Sequence, residues 1–355
     1  MKLFISKLHY ETNPSFYKRV LVFLLSIGSI PYGIITSVRN FLYDKNIIKS
    51  YSPNVKTIAV GNLTTGGVGK TPFTAALAEY CISRGKKVAI VSRGYGGELP
   101  NKDVNVVSDG EKIFFSAKEA GDEPVWLAEH CPSAVVLTCS SRSKAAMKAE
   151  KDFGCDVIIA DDAFQHRKLN RNDNIVLIDQ ANKFGNEKLL PAGPLRECLK
   201  NIKRATAVIV TNKTLDDKNA LKYCDEVKQR FNKPTFLCKM LPEKAYNIQT
   251  NEKLYKGAAV MAFCAIGQPK EFFDFVKKDY QMLLCMEFPD HHPYSVEDAE
   301  LLLDIAQKND VKYLITTEKD AVKVKDIFCK FKTDIKVCAL PLKACVDLKK
   351  IISFN

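Results

Sequence analysis

Short apolar runs, spaced by longer stretches of mixed apolar and polar positions, set the rhythm of this chain. Residues 57–60, 86–92, 134–138 and 156–160 are such runs, rich in β-branched side chains. Runs of this length without strict alternation predict strands buried on both faces. Residues 73–83 carry helical spacing between the first two runs. Strands alternating with helices predict an α/β fold, with a mostly parallel sheet flanked by helices. Past about residue 201 the pattern repeats on a smaller scale. Strands are expected at 207–211, 258–263 and 312–316, with helices over 213–233, 270–278 and 296–308. Lys233-Pro234 reads as a boundary, giving a main domain over 46–233 and a smaller α/β domain over 234–355.

One stretch departs from that rhythm. Residues 20–38 contain no charge and lie between Lys18-Arg19 and Arg39. A run of that length is within the ~17–25 residues that cross a bilayer as a helix. Pro31 removes one N–H and crowds the preceding turn, which predicts two short helical pieces rather than one. Basic flanks suit attraction to acidic headgroups, so residues 1–45 are expected to form a membrane-associating segment. The bland alternative is a helical pair packed on the protein's own core.

The net charge of +12, from 53 Lys+Arg against 41 Asp+Glu, favours anionic partners. No aromatic–basic platform or helix-turn-helix accompanies it, which argues against nucleic acid. Twelve cysteines are scattered without a C-x-x-C pair or zinc spacing, as expected of reduced thiols in a cytosolic compartment.

The chemistry concentrates after the first strand. Gly61-Asn62-Leu63-Thr64-Thr65-Gly66-Gly67-Val68-Gly69-Lys70-Thr71 joins that strand to the helix at 73–83. Strand, glycine-rich turn, Lys-Thr and helix form the context of a phosphate-binding loop, and the fold is therefore expected to be of P-loop NTPase type. The residues Thr64 to Thr71 would cradle phosphate with backbone N–H groups, Lys70 would reach the terminal phosphates, and the Thr71 hydroxyl would face Mg²⁺. Asp161 and Asp162 end the strand at 156–160, where a carboxylate beside the metal is expected. Gly121-Asp122-Glu123-Pro124 reads as a helix start with two acids in its first turn. Polar groups also gather in Arg93-Gly94-Tyr95, Ser141-Arg142, Gln165-His166-Arg167 and Arg196-Glu197, all in expected loops or at strand ends.

Together these segments resemble the tetraacyldisaccharide 4′-kinase family. The resemblance extends to Phe263-Cys264-Ala265-Ile266-Gly267-Gln268-Pro269, Phe288-Pro289-Asp290-His291-His292 and Thr317-Glu318-Lys319-Asp320-Ala321-Val322-Lys323, in family order. It implies transfer of the ATP γ-phosphate to the 4′-hydroxyl of a lipid-linked disaccharide 1-phosphate, with Mg²⁺. It implies Asp122 as the base, paired with a histidine of Asp290-His291-His292, His291 before His292. It places Thr71, Glu123, Asp161 and Asp162 around the metal, and Tyr95, Arg142, Gln165, His166, Arg196 and Glu197 around the acceptor. It also implies attachment to the cytoplasmic face of the inner membrane of a Gram-negative-type bacterium, without an obligatory protein partner. The competing reading is a membrane-associated ATPase switch similar to the MinD/ParA group, although Thr65 stands where that group carries an extra lysine.

Overall fold

The structure, a computed structural model, describes residues 8–11, 14–214 and 216–354. Its larger sheet has the strand order β14-β8-β7-β6-β1-β5-β2-β4-β3. The strands are β1 (Lys56–Asn62), β2 (Val88–Ser92), β3 (Asn105–Asp109), β4 (Val135–Thr138), β5 (Val157–Ala160), β6 (Asp173–Asp179), β7 (Ala207–Asn212), β8 (Thr235–Pro242) and β14 (Leu342–Cys345). Pairing is parallel through the middle, and one antiparallel strand closes each edge. Ile58, Val60, Ile90 and Ile159 pack on one face against Phe73, Leu77 and Cys81 of the helix Lys70–Ser83. Ala59, Val91 and Ile158 pack on the other against Ala145, Ala146 and Ala149. Both faces are covered, which explains the unbroken apolar runs.

The smaller sheet has the order β11-β10-β12-β13-β9, from β9 (Tyr246–Asn247), β10 (Ala259–Cys264), β11 (Gln281–Glu287), β12 (Tyr313–Thr317) and β13 (Lys336–Leu340). The division between the lobes is therefore not at residue 234. Lys233-Pro234 makes an ordinary turn into β8, and the Pro234 carbonyl accepts from the Val208 N–H at 2.9 Å. Cys238, Met240 and Ala344 join the large lobe's core. The small lobe is an insertion between β8 and β14, whose ends pair directly, Leu342 opposite Pro242.

Near the N-terminus, one helix, α1, runs from Phe16 to Asp44. Its burial is inverted. Ser29, Thr36 and Asn40 are the buried residues, while Phe16, Phe23, Ile27, Ile30, Ile34, Ile35 and Phe41 are exposed. A soluble helix buries its apolar stripe; this one presents it outward, and it is long and apolar enough to cross a membrane. The break expected at Pro31 does not occur. Proline removes only one N–H from this long ladder, and side chains on either side tie the helix down. Ser29 Oγ donates to the Leu189 carbonyl at 2.9 Å and Tyr32 OH to the Arg196 carbonyl at 2.7 Å.

Candidate active site

β1 lies between β5 and β6, so the loops leaving β1 and β5 open side by side at the sheet's carboxyl edge. That edge is where doubly wound sheets bind ligands. Gly69 has φ +79°, and a Cβ there would lie 2.6 Å from Met240 Cε. Gly67 has nothing within 4 Å of its would-be Cβ, leaving room for a close approach. The loop is pinned at both ends: Thr65 N–H donates to the Pro194 carbonyl at 2.8 Å, and Thr211 Oγ1 donates to the Val68 carbonyl at 3.0 Å.

Lys70 begins the helix after the loop. Its Nζ donates to Asn62 Oδ1 at 3.2 Å and lies 3.5 Å from Asp162 Oδ1. Asp162 also takes both oxygens' worth of contact from Arg196 Nη1, at 2.9 and 3.0 Å. Burial pushes the Asp162 carboxyl up, but Lys70 and Arg196 outweigh it and hold it below the usual range. Asp161 differs from its neighbour. It is fully enclosed, accepts from Thr74 Oγ1 at 3.0 Å, and is pushed up by burial and by Glu123.

Asp122 and Glu123 open the helix Asp122–His130, here α3, which follows the Lys70–Ser83 helix, α2, and the single turn Ala117–Ala120. Acids there face the positive end of the helix dipole. Their remaining compensation comes from the small lobe. Lys319 Nζ bonds Glu123 Oε1, and Lys323 Nζ lies 3.3 Å from Asp122 Oδ2. The two lysines are four residues apart on one helix, Glu318–Phe328, so they share a face. His291 Nδ1 lies 3.2 Å from Asp122 Oδ2. Burial pushes the Asp122 carboxyl up, yet His291, Lys323 and Lys319 together hold it below the ordinary carboxylate range. The same hydrogen bond raises His291.

The two histidines separate. His292 Nε2 bonds Asp298 Oδ2 at 2.9 Å, and its ring stacks on Phe288. It anchors the start of the helix Val296–Lys308 and makes no bond to Asp122, which corrects its expected place in the catalytic set. Tyr95 is exposed at the crevice, its ring edge-on to His291 at 5.8 Å. Arg142 is buried with one Nη2 contact to the Asp162 carbonyl at 3.4 Å, and its Nε has no partner among the described residues. Burial, then Arg142, pushes His166 down to about 4, so its ring is neutral at pH 7. Glu197 is a correction. It has no exposure and accepts from Asn40, Gln165, Asn201 and Arg204, so it cannot touch an acceptor. Gln165 likewise spends its Nε2 on the Asn62 carbonyl at 2.8 Å and on Glu197.

Lys319, Lys323 and Asn62 make contacts within the site that the residue patterns did not single out. All three lie inside segments that carried the family resemblance, and the i,i+4 spacing of the lysines was the available signal. The donor set suits Mg²⁺: Thr71 Oγ1 lies 3.4 Å from Glu123 Oε1, and Glu123 disfavours the charge of Asp161, a repulsion a divalent cation relieves. Among the described residues no three acidic, His or Cys groups form a ready-made cage. That fits Mg²⁺, which keeps water and phosphate ligands beside one or two carboxylates.

Known proteins are similar to this chain along most of its length. The family profile described as Tetraacyldisaccharide-1-P 4'-kinase matches residues 21–354. A tetraacyldisaccharide 4'-kinase of Geobacter metallireducens is 38% identical over 311 residues, covering 86% of this chain and 89% of that protein. One from Halothermothrix orenii is 31% identical over 357 residues, covering 94% and 93%. The crystal structure of LpxK from Aquifex aeolicus in complex with ATP matches with a TM-score of 0.73 at 31% identity, covering 93% of this chain and 96% of that one. With a profile match along nearly its whole length, the chain belongs to the tetraacyldisaccharide-1-phosphate 4'-kinase family.

Proposed function

We propose that this protein transfers the γ-phosphate of ATP to the 4′-hydroxyl of tetraacyldisaccharide 1-phosphate, a step of lipid A biosynthesis, giving the 1,4′-bisphosphate. The observation that carries the reading is the Asp122–His291 pair at 3.2 Å, held where the small lobe meets the phosphate loop's neighbours. Phosphoryl transfer asks a protein chiefly to position reactants and neutralise charge. Loop N–H groups from Thr64 to Thr71, with Lys70, bind the phosphate tail. Asp122 is ionised at neutral pH and accepts the proton of the attacking hydroxyl. His291 orients that carboxylate through Nδ1 and shares the proton's charge. Thr71, Asp161 and Glu123, with Asp162 nearby, would hold Mg²⁺, which would supply charge neutralisation across the phosphates. Lys319 keeps Glu123 ionised beside it. Tyr95, Arg142, Arg196 and His166 line the acceptor's approach, and the small lobe closes over the nucleotide.

The outward apolar face of α1 supports a seat in the cytoplasmic leaflet of the inner membrane, where both the acyl chains and ATP are within reach. Arg19 and Arg39 flank the apolar stretch and favour acidic headgroups. One assay tests the whole reading: purified protein, γ-labelled ATP, Mg²⁺ and the tetraacyl disaccharide 1-phosphate in detergent micelles. Label in the lipid is the expected result. ATP hydrolysis without labelled lipid would overturn it in favour of a switch ATPase.

A further inference from the structure

The polar underside of α1 does not rest on the large lobe at random. It meets the segment around Arg196 and Glu197 and, through it, the phosphate loop. Asn40 Nδ2 donates to Glu197 Oε2 at 2.8 Å, between two side chains with almost no exposure. Glu197 Oε1 accepts from Gln165 Nε2 at 3.1 Å. The same Gln165 nitrogen donates to the Asn62 carbonyl at 2.8 Å, and Asn62 Oδ1 accepts from Lys70 Nζ at 3.2 Å. Four contacts thus lead from a membrane-facing helix to the lysine expected on the γ-phosphate.

A second route runs beside it. Tyr32 OH donates to the Arg196 carbonyl at 2.7 Å, and Arg196 N–H donates to the Leu63 carbonyl at 2.8 Å, on the way into the loop. The Arg196 side chain then holds Asp162. Consecutive residues point opposite ways, Arg196 to the reaction site and Glu197 to the helix.

A buried carboxylate needs its full set of donors. Of the four groups bonding Glu197, only Asn40 comes from α1. An interfacial anchor alone requires only the outer, apolar face of the helix. Buried polar residues at 29, 36 and 40 are costly on a helix that serves solely to hold lipid. The bonds of Ser29 and Asn40 to the segment 189–197 give those two a different task.

We propose that Asn40 and Tyr32 are positioning residues, through which the seating of α1 fixes the geometry of Lys70 and Asp162. The membrane helix is then part of the catalytic framework as well as the tether. This rests on the kinase reading above and extends it.

The test uses the full-length protein in detergent micelles at saturating lipid and ATP, where a tether has nothing left to contribute. Asn40→Leu should lower kcat roughly ten- to hundredfold, as losses of supporting hydrogen bonds around active groups do. KM for ATP and for lipid should stay within about twofold, since neither ligand touches Asn40. Should Asn40→Leu fail to fold, Tyr32→Phe removes a single hydroxyl and should still reduce kcat by about threefold or more. Unchanged kcat with a raised KM for lipid overturns the proposal. Wild-type protein that labels no lipid overturns the kinase reading first; labelled lipid with normal kcat in Asn40→Leu and Tyr32→Phe overturns this inference alone.

Discussion

The phosphate loop and the head of α3 both gather charge at one crevice, but they balance it differently. Around the loop, Lys70, Arg196 and Asp162 compensate one another within the large lobe. At the head of α3, Asp122 and Glu123 look across to Lys323, Lys319 and His291 of the small lobe. The first set is complete in one rigid sheet edge. The second exists only where the lobes touch. A carboxylate whose proton affinity depends on another lobe can be set for catalysis by bringing that lobe into place, while the anion-binding loop stays ready throughout.

Breaking the second set at its centre gives the largest effect. Asp122→Ala should lower kcat by about 10³-fold or more while ATP binding, followed by nucleotide fluorescence, persists. Lys319→Ala comes next. It leaves the half-buried Glu123 without its leading counter-charge and should lower kcat roughly ten- to hundredfold, with a matching rise in the Mg²⁺ needed for half-maximal rate. His291→Gln sharpens the comparison through pH. His291 is the foremost influence holding the Asp122 carboxyl down, so its loss lets that carboxyl rise. The acidic limb of the kcat profile should move to higher pH, with kcat at the plateau down about tenfold. The sign for stability follows from the same pair. Asp122 contributes above its ordinary 3.8 and loses that as pH falls, whereas raised His291 contributes below 6.5 and loses that as pH rises. Both contributions are therefore present between those values in the wild type; the variant loses that of His291 and keeps only the share of Asp122's that Lys323 and Lys319 supply. The smallest effect belongs to His292→Ala. It removes the bond to Asp298, should cost about 1 kcal/mol in thermal unfolding, and should leave the pH profile in place.

The strands at 57–60, 88–92, 135–138 and 157–160 were legible because a sheet covered on both faces writes itself as plain apolar runs. The phosphate loop was legible because its glycines answer to backbone geometry, not to partners. Lys319 and Lys323 were not, since their value comes from acids about 200 residues earlier in the chain. Glu197 misled for the converse reason. A carboxylate beside an arginine reads the same whether it faces a ligand or, as here, is closed over by four donors. Pro31 misled because a helix can be held from outside its own ladder. The lobe boundary was hidden because β14 returns to the first sheet after the small lobe, and no local pattern at 342–345 announces a partner at 239–242.

That return has a practical meaning. Because Pro242 and Leu342 stand opposite each other, the intervening lobe leaves and re-enters through one doorway in the main sheet. Excising it and bridging the two strands with a two-residue reverse turn should yield a shortened chain that still folds around β1 and retains nucleotide. Clipping the chain before Leu342 should do the opposite, stripping β8 of its outer neighbour and baring an edge prone to aggregation.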